Sequence, residues 1–441
     1  MRTFTLQLAG LAAGMAIAVP ASPADHATLS ARESDPRVMG WMEGFPPPAD
    51  RIITQPDSNY FSFPKLRWSV CHMRELLPTE EISRGLGAPA PLRYLPDPER
   101  ERASIDALHF TPLGGGAPMT WAESLEANYT DGILILHDGQ VVYERYFGCL
   151  AEDGKHAAMS MTKSLTGLLA EILVAEGSLD DTALVSSIVP EIRGSAFADA
   201  TVRQVMDMTT GLHYSEDYAD PNADIWVYSA AASPLPKPES YTGPVGYFEY
   251  LQQVRPEGRH GEAFHYKTVN ADMLGWIVSR VTGKAVTELA SERLWRPMGA
   301  EQDAYIQVDG KGVPFAGGGL SAGLRDLGRL GQLLLDEGVI DGRRLFPAEV
   351  TRSIRRGGDP AKFGDAYPAL RGGSYTSMWW VYPGDHGVFA ARGVHGQTIY
   401  VDPAARMVIV RFASFPKPQN PLIDPTTLPA FEAVAKHLMA K

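Results

Sequence analysis

Residues 157–177 read A-A-M-S-M-T-K-S-L-T-G-L-L-A-E-I-L-V-A-E-G, and the interpretation of the whole chain starts from this segment. From Leu165 onward its apolar residues recur at three- and four-residue spacing, which predicts an amphipathic or buried helix. Gly177 is suited to end that helix, because glycine adopts the left-handed conformation without steric cost. Ser160 and Lys163 lie at the helix start, three residues apart and therefore on one face.

The pair of Ser160 and Lys163 is a candidate nucleophile and base. A serine hydroxyl is a poor nucleophile and needs a base within hydrogen-bond reach. A lysine can be that base only if burial lowers its pKa from about 10.4 toward about 7–8. On the S-x-x-K pattern alone, a helix-start serine with a solvated lysine is the favoured interpretation, because residues 62–65 and 414–417 match the pattern too. Those two matches have a proline before the lysine and no apolar helix after it, so only Ser160 has the expected context.

Composition limits the classes of function. The 441 residues are 44% hydrophobic and 21% charged, enough for one large domain with additions or for two domains. A net charge of −12 argues against nucleic acid as a partner. Arg2, the apolar run 6–19 and the small residues 20–24 predict an export signal over residues 1–27 and a periplasmic or secreted protein. The alternative is a disordered or locally packed start of a cytoplasmic protein, and no other stretch is long and apolar enough to span a membrane.

The cysteine and histidine content predicts neither a metal site nor a cofactor. The chain has two cysteines, Cys71 and Cys149, without the spacing of metal ligands. Export would permit a disulfide between them, but two buried thiols are an equally open interpretation. There is no H-E-x-x-H motif or Cys/His cluster in the sequence.

The order of the predicted elements indicates an α+β fold. Residues 28–100 are rich in proline, arginine and aromatic residues and are interpreted as an N-terminal wrap over a main domain, 101–441. A hairpin is predicted at 132–143, and strands at 389–392, 397–401 and 407–413, the last two joined by a turn at 402–405. Beyond the 157–177 segment, helices are predicted near 202–208, 246–254, 269–282, 285–296, 347–355 and 427–440, with a long irregular loop set at 212–245. This order fits an antiparallel sheet of five or more strands flanked by helices, with a helical insert at about 195–320.

Tyr266 is the candidate third member of the site. It lies in F-H-Y-K-T-V-N, residues 264–270, just before a predicted helix. A tyrosine held between a lysine amine and a serine can relay a proton to a leaving group. The alternative is a packed tyrosine whose hydroxyl bonds the backbone.

Five segments in order resemble the motifs of the serine β-lactamase-like hydrolases, which include class C β-lactamases, DD-peptidases and esterases. They are S-M-T-K-S (160–164), T-T-G-L (209–212), Y-K-T-V-N (266–270), G-G-G-L-S-A (317–322) and G-V-H-G-Q-T-I-Y-V-D-P (393–403). Segments 41–50, 63–69, 73–79 and 216–221 are more narrowly similar to the 6-aminohexanoate-dimer hydrolases, the nylon-oligomer enzymes.

The resemblance implies roles for particular residues. Ser160 would be the nucleophile, Lys163 its base and Tyr266 the proton donor to the leaving group. The backbone N–H groups of Ser160 and Val394 would form the oxyanion hole. Residues 391–393, A-R-G, stand where β-lactamases have Lys-Thr-Gly, which argues against recognition of a β-lactam carboxylate.

The resemblance also implies substrate contacts. Thr268 stands where the family has asparagine or serine and is expected to hydrogen-bond Lys163 or the substrate. Tyr218 matches a substrate-contacting tyrosine on a mobile loop, with a loop anchor as the alternative. Trp226 is a candidate for lining the same cleft, with packing in the core or loop as its alternative. His395 and His137 are interpreted as structural.

These observations predict a serine hydrolase that cleaves small linear amides of the aminohexanoate-oligomer type, or short esters, through an acyl-enzyme on Ser160. One alternative is a DD-peptidase or β-lactamase, and another is a non-catalytic binding or sensor module on the same fold. The expected partner is a small-molecule substrate, and the oligomeric state is open.

Overall fold

The computed structural model describes residues 28–55, 59–218 and 220–441. The export signal predicted over residues 1–27 lies outside the described residues. Within the described ranges, every helix is too short or insufficiently apolar to cross a bilayer.

Strands and helices are numbered in chain order within these ranges. The strands are β1 (Thr79–Ile82), β2 (Arg93–Tyr94), β3 (His109–Phe110), β4 (Met119–Thr120), β5 (Thr130–His137), β6 (Gln140–Tyr146), β7 (His156–Ala157), β8 (Ala304–Gln307), β9 (Leu320–Ala322), β10 (Val339–Ile340), β11 (Arg343–Arg344), β12 (Ser374–Thr376), β13 (Trp379–Val381), β14 (Phe389–Gly393), β15 (Gln397–Asp402) and β16 (Met407–Ala413). The helices are α1 (Pro36–Met39), α2 (Leu66–Ser69), α3 (Met73–Leu76), α4 (Pro98–Asp106), α5 (Trp121–Ala127), α6 (Met161–Ala175), α7 (Val185–Ile188), α8 (Val202–Met206), α9 (Asp224–Ala232), α10 (Tyr247–Leu251), α11 (Val269–Thr282), α12 (Val286–Ala290), α13 (Leu324–Leu335), α14 (Ala348–Arg356), α15 (Pro360–Phe363) and α16 (Asp424–Met439).

The larger sheet has eight strands in the order β12-β13-β14-β15-β16-β5-β6-β2. Its neighbours are antiparallel except for the short edge pair β2–β6, which is parallel. The predicted hairpin is β5–β6, and the three predicted C-terminal strands are β14, β15 and β16. This sheet, with helices against it, confirms the predicted α+β class.

Strand β5 is buried on both faces, because helices cover the sheet on each side. Alternate side chains of a strand point to opposite faces, and Leu134 and Leu136 belong to a core that includes α6 and α13. Ile133 and Ile135 belong to the other core, with α5 and α16. A strand covered on both sides reads as a continuous apolar run, and the I-L-I-L sequence at 133–136 is such a run.

Helix α6 is a buried helix rather than an amphipathic surface helix. Every residue from Met161 to Leu173 is buried, including Lys163 and Glu171. The buried negative charge of Glu171 is compensated, because its carboxylate pairs with the Arg203 guanidinium at 2.7 Å. The helix ends at Ala175, and Gly177 follows with a left-handed φ of 73°, as the sequence predicted.

A second, four-stranded sheet fixes the start of α6. Its order is β1-β8-β9-β7, and β7 leads directly into the turn before α6. The N-terminal segment contributes β1 and is also joined to the residues after β6 by a disulfide between Cys71 and Cys149, with Cα atoms 6.0 Å apart. The structure thus resolves the open alternatives for the two cysteines in favour of pairing.

The prediction of irregular structure throughout residues 212–245 is wrong at α9. This helix buries Ile225, Tyr228, Ala231 and Ala232, whose three- and four-residue spacing is helical. The helical spacing extends over only a short segment. The proline, aspartate and tyrosine residues on either side of it gave the whole stretch the composition of a loop. Two predicted helices are also shorter than expected, since α10 covers only five residues and α12 gives way to a π-helical turn at Ser291–Trp295.

The disulfide is expected to stabilise the fold. It joins residues 78 apart in sequence, and closing a loop of that size lowers the entropy of the unfolded chain, by about 4 kcal/mol in free energy in the simplest treatment. The Cys71→Ala/Cys149→Ala double variant should therefore unfold at lower urea concentration than the oxidised protein. Urea titration followed by tryptophan fluorescence measures this, and equal midpoints with an intact disulfide in the parent would contradict it.

Candidate active site

The backbone around Ser160 is held in an unusual turn. Met159, directly before it, has a left-handed φ of 48°, a conformation that few residues other than glycine adopt. The Thr162 hydroxyl donates to the Met159 carbonyl at 2.6 Å and accepts from the Leu320 N–H at 3.0 Å. These bonds tie the turn to β9, so that Ser160 begins α6 at a fixed place. Such backbone conformations persist where the surroundings impose them, commonly at functional sites.

The Lys163 amine lies beside the Ser160 hydroxyl. Its Nζ is 2.9 Å from Ser160 Oγ and also donates to the carbonyl of Gly317. Lys163 is 1% exposed, and burial lowers its pKa to about 8, against the opposing charges of Glu216 and Asp272. At pH 7 a lysine with that pKa is neutral in about a tenth of the molecules. The amine can therefore take up a proton near neutral pH.

Tyr266 completes a group of three polar side chains. The Lys163 Nζ lies 5.1 Å from the centroid of its ring, and the ring stacks on Trp380 at 5.5 Å. Burial and then the charge of Glu216 raise the pKa of Tyr266 well above its usual value, while a hydrogen bond with Ser160 lowers it. A phenol with a raised pKa keeps its proton at neutral pH. The structure places the three side chains next to one another, and their catalytic roles stay predictions.

Glu216 is a carboxylate of this site that the sequence analysis did not single out. It accepts hydrogen bonds from the Thr268 N–H and hydroxyl, both at 2.7 Å, and from the Tyr218 hydroxyl at 2.8 Å. Thr268 therefore bonds Glu216, and the expected hydrogen bond from Thr268 to Lys163 is not the one observed. The sequence feature that could have indicated Glu216 is the E-D-Y segment, in which this carboxylate lies two residues before Tyr218.

Asp272 is the second carboxylate that the sequence analysis missed. It lies in the first turn of α11 and accepts from the Tyr228 hydroxyl at 2.5 Å and from the Gly317 N–H at 3.2 Å. Burial raises its pKa to about 7, while the Tyr228 hydrogen bond and the charge of Lys163 lower it. Asp272 and Lys163 therefore titrate as a pair. The sequence feature that could have indicated Asp272 is its position four residues after Thr268, which places the two side chains on the same helix face.

Two cavities meet at Ser160. The first, of about 70 Å³, is lined mainly by apolar and aromatic side chains, including Phe61, Met73, Ile225, Trp226 and Phe315. The second, of about 290 Å³, is lined by Tyr266, Tyr367, Trp380, Arg392 and Asn420, among others. Ser160, Tyr218 and Val394 border both cavities. Ser160 thus borders two cavities, and an arginine, Arg392, lines the second.

The predicted substrate contacts are distributed over these cavities. Trp226 and Thr268 line the first, and Tyr218 borders both. Trp226 also packs the loop, because its indole N–H donates to the Asp220 carbonyl at 2.8 Å and its ring contacts Tyr218 edge-on.

Gly393 allows the last residues of β14 to pass close to the Ser160 turn. A Cβ at this position would lie 2.7 Å from the Ala158 carbonyl oxygen, so a larger residue would separate the two segments. The approach brings Val394 to the edge of both cavities. His395 borders neither cavity, its Nδ1–H donates to the Phe415 carbonyl oxygen, and burial lowers its pKa to about 4. Val394 thus borders the space beside Ser160, and the role of its backbone N–H as an oxyanion donor stays a prediction.

One group of side chains in the described ranges has the composition of a metal site. The potential ligand atoms of Cys71, Cys149 and His156 lie within 4.8 Å of one another. The two sulfurs are joined in the disulfide, and the His156 ring contacts the Asp131 carboxylate at 3.2 Å and the Ala157 carbonyl at 2.9 Å. These atoms are therefore already bonded within the protein.

Comparison with known proteins places this geometry in a family. The β-lactamase family model matches residues 123–428. A 6-aminohexanoate-dimer hydrolase from Paenarthrobacter ureafaciens is 36% identical over 362 residues, which cover 81% of this chain and 87% of the relative. A solved candidate 6-aminohexanoate-dimer hydrolase from Bacillus anthracis is 29% identical, with a TM-score of 0.76 over 89% of this chain and 99% of that one.

A family VIII carboxylesterase shares the fold at 15% identity and a TM-score of 0.54, over 80% of this chain and 99% of its own. The family match spans well over half of the chain, and the Paenarthrobacter relative is covered over most of its length. The chain is an enzyme of the β-lactamase family, whose members are serine hydrolases.

Proposed function

We propose that this enzyme hydrolyses small linear amides of the aminohexanoate-oligomer type, or short esters, through an acyl-enzyme on Ser160. The observation that carries the proposal is the 2.9 Å contact between Ser160 Oγ and the buried Lys163 amine, whose pKa is lowered to about 8. The similarity to 6-aminohexanoate-dimer hydrolases supports the substrate class.

In the first step, Ser160 Oγ attacks the carbonyl carbon of the substrate while neutral Lys163 takes the hydroxyl proton. The negative charge that develops on the carbonyl oxygen is stabilised by the backbone N–H groups of Ser160 and Val394. One such donor typically contributes about 3–4 kcal/mol to the transition state. The N-terminus of α6 also favours negative charge at this point.

In the second step, Tyr266 donates its proton to the leaving amine or alkoxide, and the bond to the carbonyl carbon breaks. The proton taken up by Lys163 then passes to the phenolate oxygen, which restores the phenol and the neutral amine. Water then attacks the acyl-enzyme and releases the acid and the free Ser160 hydroxyl. The raised pKa of Tyr266 keeps the phenol protonated at neutral pH before this step.

The alternative substrates are β-lactams or D-amino-acid peptides. A-R-G at residues 391–393 argues against them, because the lysine and threonine of the β-lactamase motif are absent. Activity assays distinguish the two substrate classes. Purified enzyme should hydrolyse p-nitrophenyl butyrate and aminohexanoate dimer, and should leave nitrocefin unchanged. Rapid nitrocefin hydrolysis with no release of aminohexanoate would favour the alternative.

We also propose that the enzyme is exported to the periplasm or secreted. The export signal predicted over residues 1–27 supports this location. The disulfide between Cys71 and Cys149 supports it too, because disulfides persist in oxidising compartments.

Replacement of the proposed nucleophile is the direct test. Ser160→Ala should lower kcat/KM for p-nitrophenyl butyrate by about 1,000-fold or more, because no other group can form the acyl-enzyme. The matched control is Ser62→Ala, which removes the serine of another S-x-x-K segment and should retain the parent activity. Retention of full activity by a folded Ser160→Ala variant would overturn the proposal.

The pH dependence should report the titration of Lys163. The neutral amine is the active form, so kcat/KM should rise about tenfold per pH unit at low pH and level off above the lysine pKa of about 8. A profile from pH 5.5 to 9.5 with p-nitrophenyl butyrate measures the inflection. A profile that is flat over this range would exclude Lys163 as the base.

Asp272→Asn should move that inflection to lower pH. The Asp272 carboxylate raises the pKa of Lys163, so its removal makes the amine easier to deprotonate. Glu432→Gln, which removes an exposed carboxylate of α16, is the matched control and should leave the profile in place. A shift to higher pH in Asp272→Asn would contradict the assigned charge interaction.

A further inference from the structure

The first cavity contains a polar side chain that the proposed chemistry does not use. Gln307, the last residue of β8, is 5% exposed and lines this cavity. Its backbone is fixed, because its N–H donates to the Gly319 carbonyl at 3.0 Å and its carbonyl accepts from the Phe315 N–H at 2.8 Å. Its side-chain amide has no hydrogen-bond partner among the described residues. Buried polar groups are normally paired, so an unpaired amide beside a cavity suggests a ligand.

The surroundings of β8 make a glutamine unexpected at this position. Alternate side chains of a strand point to opposite faces. Ile306 packs in the core around α6, whereas Tyr305 packs with the N-terminal segment. Gln307 therefore lies on the same face as Tyr305, and Phe61 and Met73 of the N-terminal segment line the same cavity. An apolar side chain would suit this face, so packing alone does not account for the amide.

The charges around the first cavity do not provide a direct partner for an ammonium group. Lys163 is the one charged residue that lines it in the described part of the chain. The carboxylates of Glu216 and Asp272 oppose the charge of Lys163, but neither belongs to the described residues that line this cavity. Their oxygens accept hydrogen bonds from residues of its wall. A bound ammonium would lose its water without a direct ion pair, so the cavity favours an uncharged group.

The position of Tyr266 indicates which part of a substrate shares the cavity with Gln307. Tyr266, the proposed proton donor to the leaving group, lines the second cavity and is not among the described residues that line the first. The leaving group therefore departs on the side of the second cavity, and the acyl chain extends into the first. Ser160 and Gln307 line the same cavity, so an acyl chain on the serine shares it with the amide.

We propose that Gln307 binds an uncharged amide at the far end of the acyl chain, so that the preferred substrates are linear amides whose acyl part ends in a second amide. The glutamine side chain offers an acceptor oxygen and two donor hydrogens, which match both groups of an amide. In an aminohexanoate oligomer, such an acyl part belongs to a unit whose own amine is already acylated. This assignment rests on the proposed function, because it takes the acyl side from the role of Tyr266.

The distal amide is bound and is not cleaved. Hydrolysis breaks the C–N bond at the carbonyl that Ser160 attacks, with water adding its oxygen to the acyl carbon and the leaving amine gaining a proton. The products are an amine and a carboxylic acid that still carries the distal amide.

Three matched p-nitroanilides test the proposal on the parent enzyme. Their acyl groups are 6-amino-6-oxohexanoyl, which ends in an amide, 6-methylheptanoyl, which has the same shape without the polar atoms, and 6-aminohexanoyl, which ends in an ammonium. The kcat/KM for release of p-nitroaniline should be at least about tenfold higher for the amide-ended chain than for either of the others, because the apolar chain leaves the Gln307 amide unpaired and the ammonium has no ion pair. Equal values for the amide-ended and branched chains, or a preference for the ammonium, would overturn the proposal.

Gln307→Leu and Gln307→Glu extend the test to the residue. Gln307→Leu should remove most of the preference for the amide-ended chain over the branched chain. Gln307→Glu should raise kcat/KM for the ammonium-ended chain relative to the amide-ended chain, because a carboxylate supplies the missing ion pair. The matched control is Gln253→Leu, which replaces an exposed glutamine after α10 and should keep the parent preferences. Parent preferences in both folded Gln307 variants would show that the residue does not contact the acyl chain.

Hydrolysis of p-nitrophenyl butyrate separates this proposal from the proposed function, because the butyryl chain has no distal amide. If the parent hydrolyses the ester and Ser160→Ala does not, the acyl-enzyme mechanism stands whatever the outcome for Gln307. If the parent hydrolyses the ester and none of the three anilides, the proposal for Gln307 fails alone. If the parent hydrolyses neither the ester nor the anilides, the proposed function itself fails.

Discussion

The site depends on one constraint, the placement of the Lys163 amine in an environment from which water is excluded. An amine on the surface would be protonated at neutral pH and could not accept a proton from Ser160. Burial at the start of α6 makes the neutral form accessible, and the carboxylates of Glu216 and Asp272 keep the lysine from losing its charge altogether. The buried helix, the G-G-G segment before β9 and the first turn of α11 are all positioned around this amine.

The surrounding backbone explains how a single amine and a single hydroxyl stay aligned. The left-handed Met159 and the two hydrogen bonds of Thr162 hold the turn, while the absence of a side chain at Gly393 lets β14 come alongside. Both sheets meet at this point, since β7 and β9 belong to the smaller sheet and β14 to the larger one. The position of Ser160 is therefore set by long-range packing rather than by the tetrapeptide in which it occurs.

The sequence was sufficient for the α+β class, the β5–β6 hairpin and the C-terminal strands, because turn residues and apolar spacing define these elements locally. It was not sufficient for α9, whose short helical period is masked by polar neighbours, or for the pairing of Cys71 with Cys149, which depends on folding over 78 residues. The S-x-x-K spacing indicated Ser160 and Lys163 as neighbours, and the resemblance to the β-lactamase-like hydrolases added Tyr266 to them. Glu216 and Asp272 were missed because their closeness in sequence to Tyr218 and Thr268 does not show that they face a buried amine, which depends on the fold.

The family match begins at residue 123, yet part of the wall of the first cavity comes from before that point. Tyr60, Phe61 and Met73 all line it, and the segment that contains them is anchored by the Cys71–Cys149 disulfide. The size and shape of the first cavity are thus determined partly by a segment that lies outside the matched family region. Substitutions in that segment would change the space beside Ser160 and leave the contact between Ser160 and Lys163 as it is.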